Sequence, residues 1–219
     1  LMNLSIKKNQ LFDFIINQIN SYFKDNVKVK KSDILSCLNL ALDKTSYCFS
    51  KINDKYYYDR GNKKIIFNHL NSDHLATFLY FLSYACFENE KKISICDKIY
   101  YLNKSLNSVD IYYQVKLPDI FLLVHPVGTV LGRAIYKDYL IVYQGVNVGS
   151  NKENSPKFSK FTTLRPSSII LGKCNIDINC EIAAGSILID QNLSKNTIYY
   201  GNPKKFYTKK KNSINEIWN

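Results

Sequence analysis

Apolar positions follow two different rhythms along this chain, and the change falls near residue 108. From residue 9 to 107 the spacing is helical. Leu11, Phe14, Ile15 and Ile19 recur at i, i+3, i+4 and i+8, and Tyr22 carries the stripe one turn further, which predicts an amphipathic first helix. Ser32-Asp33 reads as the cap of a second helix with Ile34, Leu38, Ala41 and Leu42 inward, because short oxygen-bearing side chains satisfy the free N–H groups of a first turn. Tyr56 to Asn62 reads as a turn region closing on Asp59-Arg60-Gly61. Ser72 or Asp73 would cap a third, strongly apolar helix through Leu75, Phe78, Leu79 and Leu82, and a fourth gathers Ile95, Ile99, Leu102 and Leu106.

After Asn107 the helical period stops, and a period of six takes over. Phe158, Leu164, Ile170, Ile176, Ile182 and Leu188 are large and apolar, while two places before each stand Pro156, Thr162, Ser168, Cys174, Cys180 and Ser186, all small or compact. Neither a helix, at 3.6, nor a strand, at 2, predicts a strict six. A chain that turns a triangular corner every six residues does, with the bulky side chain inward and the small one leaving room beside it: a left-handed parallel β-helix. Tyr136, Val142 and Val148 extend the register backwards, with Leu131 one residue out of step. Between Val148 and Phe158 the spacing is ten, and the surplus falls in the wholly polar run Ser150 to Ser155, which should loop out of the prism.

The fold class read from these patterns is α+β: an all-α N-terminal domain over residues 2–107, a β-helix over 108–206 and a basic tail over 207–219, with Leu1 before Met2 set aside. A length of 219 residues and a hydrophobic content of 46% are ample for such cores. No apolar run is long enough to span a membrane, since Leu75 to Phe87 is interrupted by Thr77, Ser83 and tyrosines, and no secretory leader is visible; a cytoplasmic protein is expected. The six cysteines lack any Cys-x-x-Cys spacing and read as reduced, packed thiols, and with three histidines a metal site is not expected. The net charge of +12 is scattered apart from the run between Lys204 and Lys211. No basic stripe interleaved with aromatics accompanies it, which argues against nucleic acid.

One histidine has company that suggests chemistry. His125 stands in Leu123-Val124-His125-Pro126-Val127-Gly128, and Asp110 lies fifteen residues earlier. A coil of three hexads takes eighteen, so the two should sit on adjacent coils within reach of one another. A carboxylate on one ring nitrogen fixes the tautomer and leaves the other nitrogen free to take a proton from a hydroxyl.

With a helical domain ahead of a hexad β-helix, the chain resembles the serine acetyltransferases. The matching residues run in order: Val109-Asp110-Ile111, His125 with Gly128, Leu131-Gly132, Gln144-Gly145-Val146, Val148-Gly149, Pro156-Lys157, Ile170-Leu171-Gly172, Ala184-Gly185-Ser186 and Gly201-Asn202-Pro203-Lys204. The resemblance covers roughly residues 59 to 206 and implies acetyl-CoA as co-substrate, no metal, and direct transfer of acetyl to a hydroxyl. It makes His125 the general base and Asp110 its partner. Asp59 would face the amino-acid substrate, Gly145 and Ala184 with Gly185 would line the pantetheine arm, and Lys204 and Lys205 would meet the cofactor's phosphates. For Asp59 and the two lysines, a plain turn aspartate and a solvated tail remain open readings.

The departures gather around the acceptor. The family carries an aspartate where this chain has Val124 and a second histidine where it has Ser155, and Pro166 stands where a backbone N–H would help hold the thioester arm. Asp59 or Asp119 could compensate for the missing charge. Two acceptors therefore stay in play, L-serine for cysteine biosynthesis and a sugar hydroxyl of a capsule, lipopolysaccharide or nucleotide-sugar unit. A non-catalytic solenoid that binds a partner is the alternative of another class. Apolar residues expected on the outside, such as Ile141, Tyr143 and Val146, point to a homotrimer or a dimer of trimers with the cleft between chains.

Overall fold

The computed structural model describes residues 2–219; Leu1 and the side chain of Glu90 lie outside the described residues. The chain divides into two units, one of residues up to Asn107 together with Asn219, the other Ser108–Trp218.

The first unit contains β1 (Met2–Leu4), α1 (Lys8–Tyr22), α2 (Leu35–Phe49), β2 (Tyr58–Asp59), β3 (Lys64–Phe67), α3 (Ser72–Glu90) and α4 (Ile93–Asn107), with a small sheet in the order β1-β3-β2. Helix α3 packs between α2 and α4. The four helices expected from the periodicity are present, but their faces and caps differ in detail. In α1 the buried stripe is Leu11, Phe12, Ile15, Ile16 and Ile19. Phe14 is only half-buried, and Tyr22, 49% exposed, lies edge-on to Phe23 and Tyr101 instead. In α4 Leu106 is exposed because Asn103 and Asn107 turn inward: the Asn103 amide donates to the Ala76 carbonyl at 3.0 Å, and that of Asn107 to Asn103 Oδ1 at 2.8 Å. The satisfied amide pair takes the place expected for the leucine.

The caps shift for a related reason. Asp33 accepts from the Lys30 N–H and so closes a 3₁₀ turn over Lys31–Ile34, one turn ahead of α2. Asn71, not Ser72 or Asp73, caps α3, accepting from the N–H groups of Asp73 and His74. A cap residue must be extended, and Asn71 is, at φ −92° and ψ 118°.

The second unit begins with β4 (Val109–Asp110) and continues through β5 (Phe121–Val124), β6 (Thr129–Leu131), β7 (Leu140–Tyr143), β8 (Asn147–Gly149), β9 (Lys157–Phe158), β10 (Thr163–Leu164), β11 (Ile169–Leu171), β12 (Asn175–Ile176), β13 (Glu181–Ile182), β14 (Ile187–Ile189), β15 (Thr197–Asn202) and β16 (Lys205–Lys210). Three parallel sheets form the faces of a prism. One holds β5, β7, β10, β13 and β15, the second β4, β6, β8, β11 and β14, and the third β9 and β12 with single bridges from Ile135 and Leu193. Partners in the later coils are 18 residues apart, as in Thr163↔Glu181, Ile169↔Ile187 and Asn175↔Lys157. The fold is the left-handed β-helix expected from the hexads.

All six hexad residues from Phe158 to Leu188 are no more than 1% exposed. The compact residues two places earlier are buried beside them. Where the surplus of four residues falls, Asn151 and Asn154 exchange backbone hydrogen bonds at 2.9 and 3.1 Å and the chain leaves the prism as a tight hairpin. The pairing Ile141↔Thr163, 22 residues apart, shows the coil closing normally around it.

Two expectations are overturned. Val146 is fully buried, because it occupies the compact inward place two residues before Val148, and Ile141 is also buried, leaving only Tyr143 of the three partly exposed. The tail expected from residue 207 is in part a strand: β16 pairs antiparallel with β15 along its whole length, with Tyr207 stacked on Tyr200 at 4.8 Å. The pairing gives the last coil a polar, lysine-bearing edge, which blocks further strand addition.

Candidate functional site

Each coil passes from the first face to the second through a corner, and these corners stack into one edge. The residues at the corners are His125 to Gly128, Gln144-Gly145, Pro166-Ser167 and Ala184-Gly185. Each has a residue in the left-handed region, Gly128 (φ 73°), Gly145 (68°), Ser167 (58°) and Gly185 (67°), and the first corner has His125 there as well. Gly128 donates its N–H to Ser108 on the coil before, and likewise Gly145 to Val127, Ser167 to Gln144 and Gly185 to Pro166, at 2.9 to 3.0 Å. The hairpin between β15 and β16 continues the same edge, since β15 runs parallel to β13 and ends beyond it. Its tip is closed by Asn202, whose side chain accepts from the N–H groups of Lys204 and Lys205, leaving both lysine side chains exposed.

His125, Gly145, Ala184, Gly185, Lys204 and Lys205 are thus brought to a single edge. His125 follows the last residue of β5 and is exposed, with φ 48°. Asp110 is the second residue of β4, half-buried, in register with Val130 of β6, and so lies one strand over from the His125 corner. Val124, immediately before His125, pairs with Tyr143 on the next coil.

Beside Tyr143 lies a cation that the sequence reading passed over. Arg165 sits 5.3 Å from the Tyr143 ring centroid and donates Nε–H to Glu181 at 2.6 Å. The Glu181 hydrogen bond holds the guanidinium charged more firmly still. Lys211 shares that carboxylate at 3.6 Å, with burial pulling its own pKa down. Only the position just before a corner could have flagged Arg165, since no spacing in the sequence marks it.

The remaining candidates lie elsewhere. Ser155 follows the Asn151–Asn154 hairpin, at the corner between the second and third faces. Asp119 is exposed, two residues before β5. Asp59 is committed to its own turn, accepting from the N–H groups of Gly61 (3.0 Å) and Asn62 (3.2 Å) and from the Asn62 amide (2.7 Å). The Asn62 bonds hold its carboxyl below the usual carboxylate range. Among the described residues no cluster of three or more His, Cys, Asp or Glu could hold a metal, all six cysteines are buried and in no disulfide, and no helix is long and apolar enough to cross a membrane.

The glycines of the His125 edge are not demanded by the chain's own packing throughout. A Cβ on Gly185 would meet nothing within 4 Å, and one on Gly128 would meet only the Gly145 Cα at 3.9 Å. The space in front of the backbone there is open.

No protein-family model matches the chain. By sequence it is 30% identical to a serine acetyltransferase of Synechococcus elongatus over 94 residues, which is 41% of this chain and 38% of that relative. The match therefore spans well under half of the relative's length. By structure it superposes on the serine acetyltransferase of Vibrio cholerae with a TM-score of 0.71 at 15% identity, covering 94% of this chain and 81% of the other. The serine acetyltransferase of Brucella abortus in complex with coenzyme A gives 0.71 at 15% identity, covering 96% and 85%. The fold is that of the serine acetyltransferases. Within that fold, the glycine corners and the terminal pair of lysines lie along one edge of the prism.

Proposed function

We propose that the chain is an acetyl-CoA-dependent O-acetyltransferase of serine acetyltransferase type. The observation that carries this reading is the edge itself, where a histidine, open glycine corners and two exposed lysines follow one another along the prism. Gly145, Ala184 and Gly185 would let the pantetheine arm lie against backbone, and Lys204 and Lys205 would meet the phosphates. His125, steadied by Asp110, takes the proton from the acceptor hydroxyl. The acceptor oxygen then bonds to the acetyl carbonyl carbon, the carbon–sulfur bond breaks, and the imidazolium returns the proton to the departing thiolate. Backbone N–H groups would stabilise the oxyanion between these steps. The buried cysteines, in no disulfide among the described residues, fit a reducing, cytoplasmic setting.

Ser155 and His125 lie on different edges of the prism, separated by the second face. A cleft that uses both is best made between two copies, which supports a threefold assembly with edge against edge. Val124 favours the sugar hydroxyl as a second reading of the acceptor. A free amino acid brings an ammonium group, and leaving it without a carboxylate costs on the order of a hundredfold in affinity. The experiment is release of CoA with L-serine against a panel of sugars and nucleotide sugars, with kcat/KM for L-serine compared in the wild type and Val124→Asp. A high wild-type value for L-serine, unimproved by the aspartate, overturns the sugar reading. Release with no acceptor at all overturns the enzyme reading.

A further inference from the structure

At the far end of the second face from His125 lies a cleft of about 530 Å³, lined by residues 112 and 114–116 on one side and by Gly132, Arg133 and Ala134 on the other. Its charge is one-sided. Lys116 and Arg133 both reach it, and neither forms an ion pair among the described residues. No carboxylate is among the lining residues.

Its place in the fold is informative. Tyr112 comes two residues after Asp110, just past the end of β4. On the other side, Arg133 comes two residues before Ile135, which bridges Lys157 on the next coil, the Ile135 N–H donating to the Pro156 carbonyl at 2.9 Å. The cleft therefore follows the strand that carries Asp110 and precedes the bridge to the coil that carries Ser155, at the opposite end of the prism from the lysines of the β15–β16 hairpin.

We propose that this cleft is an anion-binding subsite for the acceptor, and that it takes the phosphate of a phosphorylated sugar. Two cations lining one cleft, with no carboxylate among its other lining residues, select an anion, and the planar Arg133 fork suits phosphate oxygens. The volume falls in the range of small-molecule sites and far exceeds what a serine side chain and its charges need. Tyr112, exposed and with its hydroxyl bonded to that of Tyr113 at 2.8 Å, offers a ring face and an oxygen to a polar ring. Serving the acceptor rests on the acetyltransferase reading above; the anion site does not.

The test is calorimetric titration of the full chain without acetyl-CoA at low ionic strength. The probes are glucose 1-phosphate, UDP-glucose, glucose, L-serine and adenosine 3′,5′-bisphosphate, the last standing for the donor's own phosphates. At least one phosphorylated sugar should bind saturably while glucose does not. Arg133→Gln should weaken that binding about tenfold, and adding Lys116→Gln about tenfold again. Both side chains are exposed, so the variants keep the fold, which circular dichroism checks.

Failure of both phosphorylated sugars to bind, or binding untouched by the two substitutions, overturns the proposal. Preferential binding of the bisphosphate through these cations would make it a donor site, and L-serine binding lost on Arg133→Gln an amino-acid site; either overturns it. Intact binding without acetyl transfer would sink the enzyme reading and leave the subsite standing.

Discussion

The corners between the third and first faces have the same backbone as those on the His125 edge and opposite side chains. Tyr139, Phe161, Asn179 and Asn196 occupy the left-handed places there, at φ 66°, 63°, 57° and 58°, with N–H groups bonded to the preceding coil. The His125 edge has a left-handed glycine at three of its four corners. On the first edge the side chains seal the surface. Tyr139 stacks on Phe161 at 4.5 Å, and the Asn179 amide donates to Asn196 Oδ1 at 2.8 Å. A left-handed tyrosine or phenylalanine costs about 1–2 kcal/mol, yet the prism tolerates two in succession. The fold therefore does not require glycine at its corners. Glycine on the other edge, with open space before Gly185, is what a ligand lying against backbone requires.

Four measurements break or sharpen that contrast. The largest effect is expected at the histidine: His125→Ala should lower kcat by roughly 10²- to 10⁴-fold with an unchanged circular dichroism spectrum and melting temperature. An equal loss of activity and stability would return His125 to a structural role.

His74 is the counterpart that should behave the other way. It is buried among Phe49, Tyr57 and Phe67, its Nδ1 accepts from the Asn68 N–H at 3.0 Å, and burial depresses its pKa to about 4. The unfolded chain binds this proton at ordinary histidine pKa and the folded chain does not. The contribution to stability is thus complete above about pH 6.5 and is lost as pH falls from there towards 4, by roughly 3 kcal/mol. Denaturant melts across that range should show the slope in wild type and lose it in His74→Phe, without any change in the chemistry at neutral pH.

A smaller effect separates the two edges directly. Gly185→Asn fills the open space with a residue the left-handed corner tolerates, as at Asn179 and Asn196, and should raise the KM for acetyl-CoA about tenfold, the equivalent of 1.4 kcal/mol, whereas Asn179→Gly should leave that KM alone and lower stability only. Equal effects at both edges would remove the functional meaning of the glycines. The smallest change is expected from Lys204→Gln with Lys205→Gln, a severalfold rise in KM for acetyl-CoA that fades in high salt, because exposed charges are screened.

How far the sequence could be read differs between the two units for the same physical reason. In the β-helix each hexad repeats one geometric demand, an inward aliphatic with a compact residue two places before it. Six repeats average out any local accident, and every one from Phe158 to Leu188 is buried. In the helical unit each face depends on what the neighbouring helix offers. Phe12 and Ile16 displaced Phe14 and Tyr22 from the inner stripe of α1, and an amide pair from Asn103 and Asn107 displaced Leu106. Nothing within α1 or α4 alone carries that information.

By itself the sequence determined the prism, its interruption at 150–155, and the residue types that could take part in chemistry, because period and composition are local properties. Only the tertiary structure decided which of them share an edge. It aligned Gly145, Ala184 and Gly185 with His125 through the 18- to 22-residue register, continued that edge with Lys204 and Lys205 on an antiparallel hairpin, tied Asp59 into its own turn, and brought Arg133 and Lys116 to one cleft. Residues that lie far apart in the chain become neighbours only when the coils close, and the closure is fixed by the buried core, not by the residues themselves.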